Sequence, residues 1–341
     1  MAGILPYLFG FIIPATLLTS ALLGGAWVLL VPVFVYGVLP LLDRLTGPDH
    51  ENRPAAAPEW AYRMVPRLYV PVHIVALGWT LSVAASSSAP VALGLLIAAG
   101  LSGALAINVA HELMHRAGRV DHPLSVLMMG TTAYPHFVIE HVYGHHRNVG
   151  TPLDPATSRF GEPIWTFLPR TLWGGLVSAW GIEAARSGSQ FGLRNRVVRW
   201  WGIELVVVAA LAAWSPLVAA LFLGQAGIAV LILEVINYVE HYGLFRVETA
   251  TGRFERTLPR HSWNSPERVT NWLSLNLQRH SDHHAFAGRP YEQLRHYDDV
   301  PQLPAGYPTM MLVALLPPLW FRIMNPRVEA WQRGHLMPAG A

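Results

Sequence analysis

The chain alternates between long apolar stretches and segments that carry most of its charge. Residues 1–42 contain no charged side chain. As one helix they would extend about 63 Å, roughly twice the hydrocarbon core of a bilayer. Gly24 and Gly25 interrupt this stretch near its middle, where a turn is expected. Residues 68–111 and 200–245 show the same pattern, with breaks at 86–90, near 214–216 and at Gly224. Each stretch is therefore expected to cross a membrane twice.

This pattern predicts an all-α integral membrane bundle of six transmembrane helices in three hairpins, within a single domain of residues 1–341. The spans are expected at about 4–22, 25–42, 68–86, 91–111, 202–221 and 226–243. The intervening segments, 43–67, 112–200 and 244–341, then lie on one side of the membrane. An apolar run at 310–324 contains Pro317 and Pro318, so we expect an interfacial or packed helix there rather than a seventh span.

Composition and charge agree with a membrane location. The chain is 52% hydrophobic and 13% charged, whereas a soluble domain is about 25% charged. This excludes a disordered chain and argues against an ordinary soluble enzyme. All 24 basic residues are arginines, and all lie in 44–67, 116–199 and 246–333. The positive-inside rule then predicts a bacterial-type inner (cell) membrane protein with both termini in the cytoplasm. A net charge of +3 gives no reason to expect nucleic-acid binding.

The sequence contains 16 histidines and no cysteine. The absence of cysteine excludes a disulfide scaffold, an iron–sulfur cluster, a thiolate zinc site and a cysteine nucleophile. Histidine is therefore the residue type from which chemistry is expected.

Nine of the histidines fall into four clusters with metal-ligand spacing. Residues three or four apart on a helix share a face, so each cluster can direct its imidazoles to one point. Every cluster lies at or just beyond the arginine-bearing end of a predicted span. Nine imidazoles exceed what one ion requires, which indicates two metal ions, and redox-active iron suits imidazole ligation. The predicted ligands are His111 and His115; His141, His145 and His146; His241; and His280, His283 and His284.

Polar residues beside the clusters are candidates to support the ligands. Asn108 shares a helix face with His111, and Glu234 and Asn237 precede His241 at the same spacing. Ionisable groups within a membrane usually face a bundle interior or a site. A carboxylate next to a histidine either accepts a hydrogen bond from a ligand ring or binds metal directly, and spacing does not choose between these roles. The predicted supporting residues are Glu112, Glu140, Asn237, Glu240 and Asp282.

Two other interpretations compete with a two-metal centre. Residues 111–115, His-Glu-Leu-Met-His, match the HExxH pattern of zinc proteases, with Glu112 as the general base. That interpretation leaves at least six clustered histidines unexplained. A transporter or channel would place its polar groups near the middle of the membrane rather than at one interface. The remaining histidines occur singly and are expected at the surface or in packing: His50, His73, His122, His136, His261, His296 and His335.

The order HxxxH, HxxxHH and HxxHH across hydrophobic hairpins resembles the membrane non-haem di-iron superfamily of desaturases and hydroxylases. Within it, four motifs are similar to those of the alkane 1-monooxygenases (AlkB-type alkane hydroxylases). They are HELMHR at 111–116, EHVYGHH at 140–146, NYVEHYGL at 237–244 and LQRHSDHH at 277–284. The tract TPLDPATSR at 151–159 and the run 303–321 resemble that family as well. Arg116 departs from the lysine expected in many alkane hydroxylases.

The resemblance implies that the nine histidines bind two iron ions and that O2 is the co-substrate. It implies hydroxylation of the terminal methyl group of medium-chain alkanes that arrive from the bilayer. Rubredoxin, reduced by an NAD(P)H-dependent rubredoxin reductase, is the implied electron donor; the chain has no cysteine, flavin or nicotinamide motif, so the donor must be a separate protein. A xylene or aryl-methyl monooxygenase and a fatty acid desaturase or hydroxylase of the same superfamily are the alternatives. Substrate-binding residues are not predictable from the sequence.

Overall fold

The computed structural model describes residues 3–335, and helices account for its regular structure. Within these residues, β-type pairing is limited to isolated bridges such as the one between Glu248 and Phe254. The predicted all-α fold is therefore confirmed. The chain termini, which the sequence predicts to be cytoplasmic, and the side chain of His335 lie outside the described part.

The helices are long where the apolar stretches lie, and both short and long helices lie between and after them. Three-residue 3₁₀ turns at Pro259–His261 and Tyr291–Gln293 join some of them. In chain order the helices are α1 (Leu5–Leu23), α2 (Gly25–Thr46), α3 (Glu59–Ala85), α4 (Ala89–His115), α5 (Asp121–Gly130), α6 (residues 137–148), α7 (Ile164–Ser187), α8 (Arg196–Trp214), α9 (Pro216–His241), α10 (Arg268–Leu273), α11 (His280–Ala285), α12 (Tyr307–Ala314) and α13 (Pro317–His335).

Six of these helices, α1 to α4 together with α8 and α9, are long and apolar enough to cross a membrane, as the sequence predicts. They form three hairpins with very short turns, and the turn between α1 and α2 is the single residue Gly24. Gly24 and Gly25 have φ values of 61° and 52°, which side chains with a Cβ rarely adopt. The glycine pair is therefore what permits so tight a reversal.

The predicted boundaries of the third hairpin are wrong. Its helices were expected at 202–221 and 226–243, but α8 ends at Trp214 and α9 begins at Pro216. Ser215 separates them, and its hydroxyl caps α9 by accepting a hydrogen bond from the Val218 N–H at 3.4 Å. Gly224, expected near a break, lies inside α9, where an added Cβ would come 3.1 Å from a Leu96 methyl carbon. That glycine serves close helix packing rather than a turn.

The segments outside the hairpins contain further helices, and the last two of these are packed against the bundle. The apolar run at 310–324 forms parts of α12 and α13, which meet at a bend of 119° around the predicted proline break. Trp320, Met324 and Val328 of α13 are buried against residues of α9 and α12. This packing agrees with the expected packed helix, and the two helices together qualify as a crossing only if so sharp a bend is allowed.

Two small residues bring α4 and α9 close together. A Cβ added to Gly100 would lie 2.4 Å from Ile228 Cγ2, and one added to Gly103 would lie 2.9 Å from Ala229 Cβ. Small residues at such contacts let helix backbones approach closely in a membrane bundle. Because both helices end in histidine, their close approach brings His111, His115 and His241 to the same end of the bundle.

Candidate metal centre

All nine predicted ligands come together at one end of the helix bundle, in two adjoining groups. We call the first the five-histidine group, whose ligand atoms lie within 4.8 Å of one another. The second, the four-histidine group, meets the same limit. Seven of the nine side chains are buried, and His115 and His146 are partly buried. The five-histidine group is His111, His115, His141, His146 and His283, and the four-histidine group is His145, His241, His280 and His284.

A π-helical turn in α6 directs its histidines to both groups. Residues 140–145 form this turn between two short α-helical pieces. π-turns inside helices alter the direction of side chains and are frequent at functional sites. His141 and His146 join the five-histidine group, whereas His145 joins the other. The motif HxxxHH therefore contributes to both histidine groups at once.

The short helix α11 divides its histidines in the same way. His280 and His284 are four residues apart on one face and belong to the four-histidine group, and His283 belongs to the five-histidine group. The rings of His146 and His284 stack across the boundary with centroids 4.4 Å apart. Imidazole rings of the two groups are thus in direct contact, and the two groups form one centre.

The distances between ring nitrogens fit metal ligation. His146 Nε2 lies 3.0 Å from the Nε2 atoms of both His141 and His283. In the other group, His284 Nε2 lies 2.9 Å from His280 Nε2 and 3.3 Å from His145 Nε2. Imidazole nitrogens bound to one ion at about 2.0–2.1 Å lie roughly 3 Å apart. Each group is therefore arranged as a ligand set around a common point.

Several ring nitrogens in the centre are buried without a partner among the described residues. These include Nε2 of His111 and of His115. A buried polar atom without a hydrogen bond costs free energy, about 1–3 kcal/mol, and native structures largely avoid it. Burial also lowers the pKa of His141, His280 and His284 well below the ordinary value, which keeps these rings neutral. Neutral imidazoles with free ring nitrogens are suited to binding a metal ion.

Asp154 supports the centre and was not among the predicted residues. It is fully buried, and its Oδ2 lies 2.9 Å from His145 Nδ1. The same carboxylate accepts hydrogen bonds from the Thr157 hydroxyl at 2.6 Å and the Ala156 N–H at 3.0 Å. Metal-binding histidines usually donate their second ring N–H to such a carboxylate. Asp154 belongs to the 151–159 tract that the sequence analysis singled out, but its spacing along the chain did not indicate a contact with His145.

Among the predicted supporting residues, Glu240 lies nearest to a ligand atom. Its Oε2 is 3.2 Å from His280 Nε2, the nitrogen that faces the metal position. This placement suits a carboxylate that shares the ion with His280 as well as one that only orients the ring.

The other predicted supporting residues bind neighbours rather than ligand rings. Glu112 accepts a hydrogen bond from Arg116 at 2.6 Å, and Asn237 donates one to Glu234 at 3.1 Å. Asp282 accepts from the Tyr297 hydroxyl at 2.7 Å and is ion-paired with Arg289. These contacts hold the segments that carry the histidines.

Glu140 is buried within the π-turn. Burial, together with the nearby carboxylates of Asp154 and Glu234, raises the pKa of Glu140 well above its usual range. It is therefore expected to be a neutral carboxylic acid at pH 7 rather than a buried negative charge.

An apolar cavity of about 90 Å³ lies within the bundle next to the centre. Residues of α1, α2, α4 and α9 line it, and Val35, Ala104 and Leu105 are among them. The lining includes Asn108, one helical turn from His111, and Leu277, three residues before His280. The cavity therefore lies close to two of the segments that carry the histidines.

Most of the histidines without a predicted role are held by ordinary contacts. His73 lies 3.4 Å from the Ser102 hydroxyl, and His136 Nδ1 accepts a hydrogen bond from the Trp201 indole at 3.3 Å. His50 and His296 differ, because they lie together with Asp298 in a separate cluster.

The fold and the centre define a multi-span helical membrane protein with a histidine-rich metal-binding site. The model of the fatty acid desaturase family matches residues 86–314, which include all nine histidines. This match agrees with the class that the histidine motifs predict.

The relatives narrow the class further. The chain is 41% identical over 323 residues to alkane 1-monooxygenase 1 of Pseudomonas aeruginosa, covering 90% of this chain and 85% of that protein. It is 38% identical over 318 residues to alkane 1-monooxygenase of Acinetobacter baylyi, covering 87% and 76%. The hydroxylase component XylM of a Pseudomonas putida xylene/toluene monooxygenase is 30% identical over 251 residues, covering 72% and 66%. The chain therefore belongs to the alkane 1-monooxygenases, within the fatty acid desaturase family.

Proposed function

We propose that this protein is a di-iron monooxygenase that uses O2 to hydroxylate the terminal methyl group of medium-chain alkanes. The observation that carries the proposal is the pair of adjoining histidine groups with inward-facing ring nitrogens. An unactivated C–H bond offers acid–base groups nothing to act on, so iron, when bound, supplies the oxidising chemistry. The residues of the chain supply the ligands, their orientation and the shape of the site.

The five-histidine and four-histidine groups each hold one iron in this proposal. Asp154 fixes the ring of His145 through its Nδ1. Ser262, whose hydroxyl lies 3.5 Å from His241 Nδ1, acts in the same way in the same group. Such partners set the tautomer and orientation of a ligand ring.

The apolar cavity beside Asn108 is the proposed substrate site. Its wall consists mainly of aliphatic side chains, which exclude water and suit the terminal part of an alkane chain. Asn108 is not free to bind substrate, because its amide donates to the Ser274 carbonyl at 2.8 Å. An alkane in the cavity would then present its terminal methyl group to the centre on the side lined by Asn108 and Leu277.

Electrons must come from a partner, and we propose rubredoxin reduced by an NAD(P)H-dependent reductase. The chain contains no cysteine with which to hold an iron–sulfur cluster of its own. The arginines lie beside the histidine-bearing ends of the helices, which supports a bacterial inner-membrane location with both termini and the centre at the cytoplasmic face. Fusion of a cytoplasmic fluorescent reporter or a periplasmic phosphatase to either terminus tests this topology.

Metal analysis of the protein purified in mild detergent tests the proposal directly. We expect about two irons per chain, one for each histidine group. With rubredoxin, its reductase, NADH and O2, octane should be converted to 1-octanol. His241→Ala and His283→Ala should each lower the iron content and abolish activity. His122→Ala, which removes a histidine outside both groups, is the matched control and should change neither. About one zinc and no iron would overturn the proposal.

Aryl-methyl hydroxylation is a second candidate, favoured by the 30% identity to XylM. Toluene in the same assay distinguishes the two substrates. The structure does not favour the HExxH protease, since His111 and His115 share their group with three further histidines. In addition, Glu112 is ion-paired with Arg116 at 2.6 Å, which does not suit a free general base.

A further inference from the structure

A third cluster of metal-ligating side chains lies outside the nine-histidine centre. It joins His50, in the connection between α2 and α3, to His296 and Asp298, which follow α11. His50 Nδ1 lies 3.3 Å from Asp298 Oδ1, and His296 Nε2 lies 3.1 Å from the same oxygen. The two imidazole rings are neighbours, with centroids 4.6 Å apart. Three potential ligand atoms thus face one point.

The spacing and chemistry of these atoms fit a small divalent ion. All three lie within 4.8 Å of one another. Ligand atoms at about 2.0–2.1 Å from a tetrahedral zinc ion lie roughly 3.3 Å apart, close to the two separations in the cluster. Two imidazoles and one carboxylate form a common zinc ligand set, with a water molecule in the fourth position.

Hydrogen bonds hold the two segments of the cluster in place. Asn52 donates its side-chain amide to the His296 carbonyl at 2.9 Å, and the His296 N–H donates to the Asn52 side-chain oxygen at 2.7 Å. Arg279 binds both segments, through the Glu51 carbonyl at 3.1 Å and the Leu294 carbonyl at 2.8 Å. The site is therefore built before any ion arrives, which reduces the entropic cost of ligation.

The ligands differ in accessibility in a way that permits metal entry. The His296 side chain is 4% exposed, whereas those of His50 and Asp298 are 52% and 85% exposed. An ion can approach from the exposed side, where His50 and Asp298 lie, and bind to the buried ring of His296.

We propose that His50, His296 and Asp298 form a separate mononuclear site for a divalent transition metal, with zinc as the best-suited ion. The bound ion would join the connection between α2 and α3 to the segment after α11. That segment supports the main centre, because the Arg295 N–H and the Tyr297 hydroxyl both donate to Asp282, between His280 and His283. The ion would link these two segments of the chain, and this inference does not depend on the proposed function.

Zinc binding to the iron-loaded protein tests the proposal. The protein in mild detergent is dialysed against zinc at buffered free concentrations, and zinc and iron per chain are measured by mass spectrometry. The wild type should take up about one zinc per chain beyond its iron, without losing iron. His50→Ala and Asp298→Asn should lose this zinc. His122→Ala is the matched control and should retain it. Because His50 and Asp298 are exposed, neither substitution disturbs the packed interior.

Zinc should also raise the apparent melting temperature of the wild type and of His122→Ala, but not of His50→Ala, since a ligand that binds only the folded state stabilises it. No additional zinc in the wild type would overturn the proposal. Equal zinc uptake by the wild type and both site variants would also overturn the proposal. So would zinc uptake that is matched by a loss of iron. The comparison between wild type and variants remains valid if the main centre holds a metal other than iron.

Discussion

Replacing Asp154 with asparagine should weaken iron binding without altering the fold. Asp154 is fully buried and lies 2.9 Å from His145 Nδ1, while two further hydrogen bonds fix its carboxylate. Asparagine has nearly the same shape but no negative charge, and its amide can present an N–H to the ring instead of an acceptor. The His145 ring would then lose the partner that fixes its tautomer and increases its basicity toward metal.

The expected size of the effect follows from this contact. A hydrogen bond to a charged group contributes about 1.5–3 kcal/mol. Loss of such a partner from a metal-bound histidine typically lowers metal affinity about 10–100-fold. Titration of the iron-loaded protein with a competing iron chelator measures that affinity, and octane hydroxylation at saturating rubredoxin measures the effect on turnover.

Asp121→Asn is the matched control. Asp121 is also fully buried, but its carboxylate is paired with Arg67 at 2.7 Å, away from the histidines. This variant should lose stability and keep wild-type iron affinity. The reasoning is refuted if Asp154→Asn releases iron at the same chelator concentration as the wild type, or if both variants lose iron equally.

Other predictions concern the cavity, the helix contact and the buried carboxylate of Glu183. Ala104→Phe should fill the cavity and lower the hydroxylation of both octane and dodecane with unchanged iron; unaltered activity would contradict the proposed substrate site. Gly100→Ala should lower the apparent melting temperature, because its Cβ would lie 2.4 Å from a methyl carbon on α9 and overpacking costs about 1–3 kcal/mol. In Gly78→Ala the added Cβ has no neighbour within 4 Å, so this variant should not lower the melting temperature. Burial acts to raise the pKa of Glu183, but hydrogen bonds from Arg186 and a second arginine prevail and lower it to about 2. Glu183→Gln should therefore destabilise the protein at pH 7, and its difference in melting temperature from the wild type should shrink as the pH falls from about 5 toward 2. A difference independent of pH would contradict this assignment.

The pattern of apolar residues was sufficient to predict the membrane-spanning helices. The hydropathy of a segment is a local property, and it directly determines whether that segment can lie in the bilayer. Six spans follow from the length of uncharged sequence, and residues 3–335 contain six helices long and apolar enough to be such spans. The pattern was less informative about where helices begin. Asn195 caps the start of α8 by accepting from the Val197 N–H at 2.9 Å, several residues before the predicted span at 202. Helix ends depend on capping and packing, which a hydropathy window does not detect.

The sequence by itself also determined which histidines are candidates, since i, i+3 and i+4 spacing is fixed by the geometry of a single helix. Only the tertiary structure decided how these histidines divide, because the π-turn in α6 sends neighbours His145 and His146 to different groups. It also decided the contact of Asp154 with His145 and brought His50 to His296 across the chain. Such contacts arise when separate segments pack together. Their geometry depends on the whole bundle, and no local spacing encodes it.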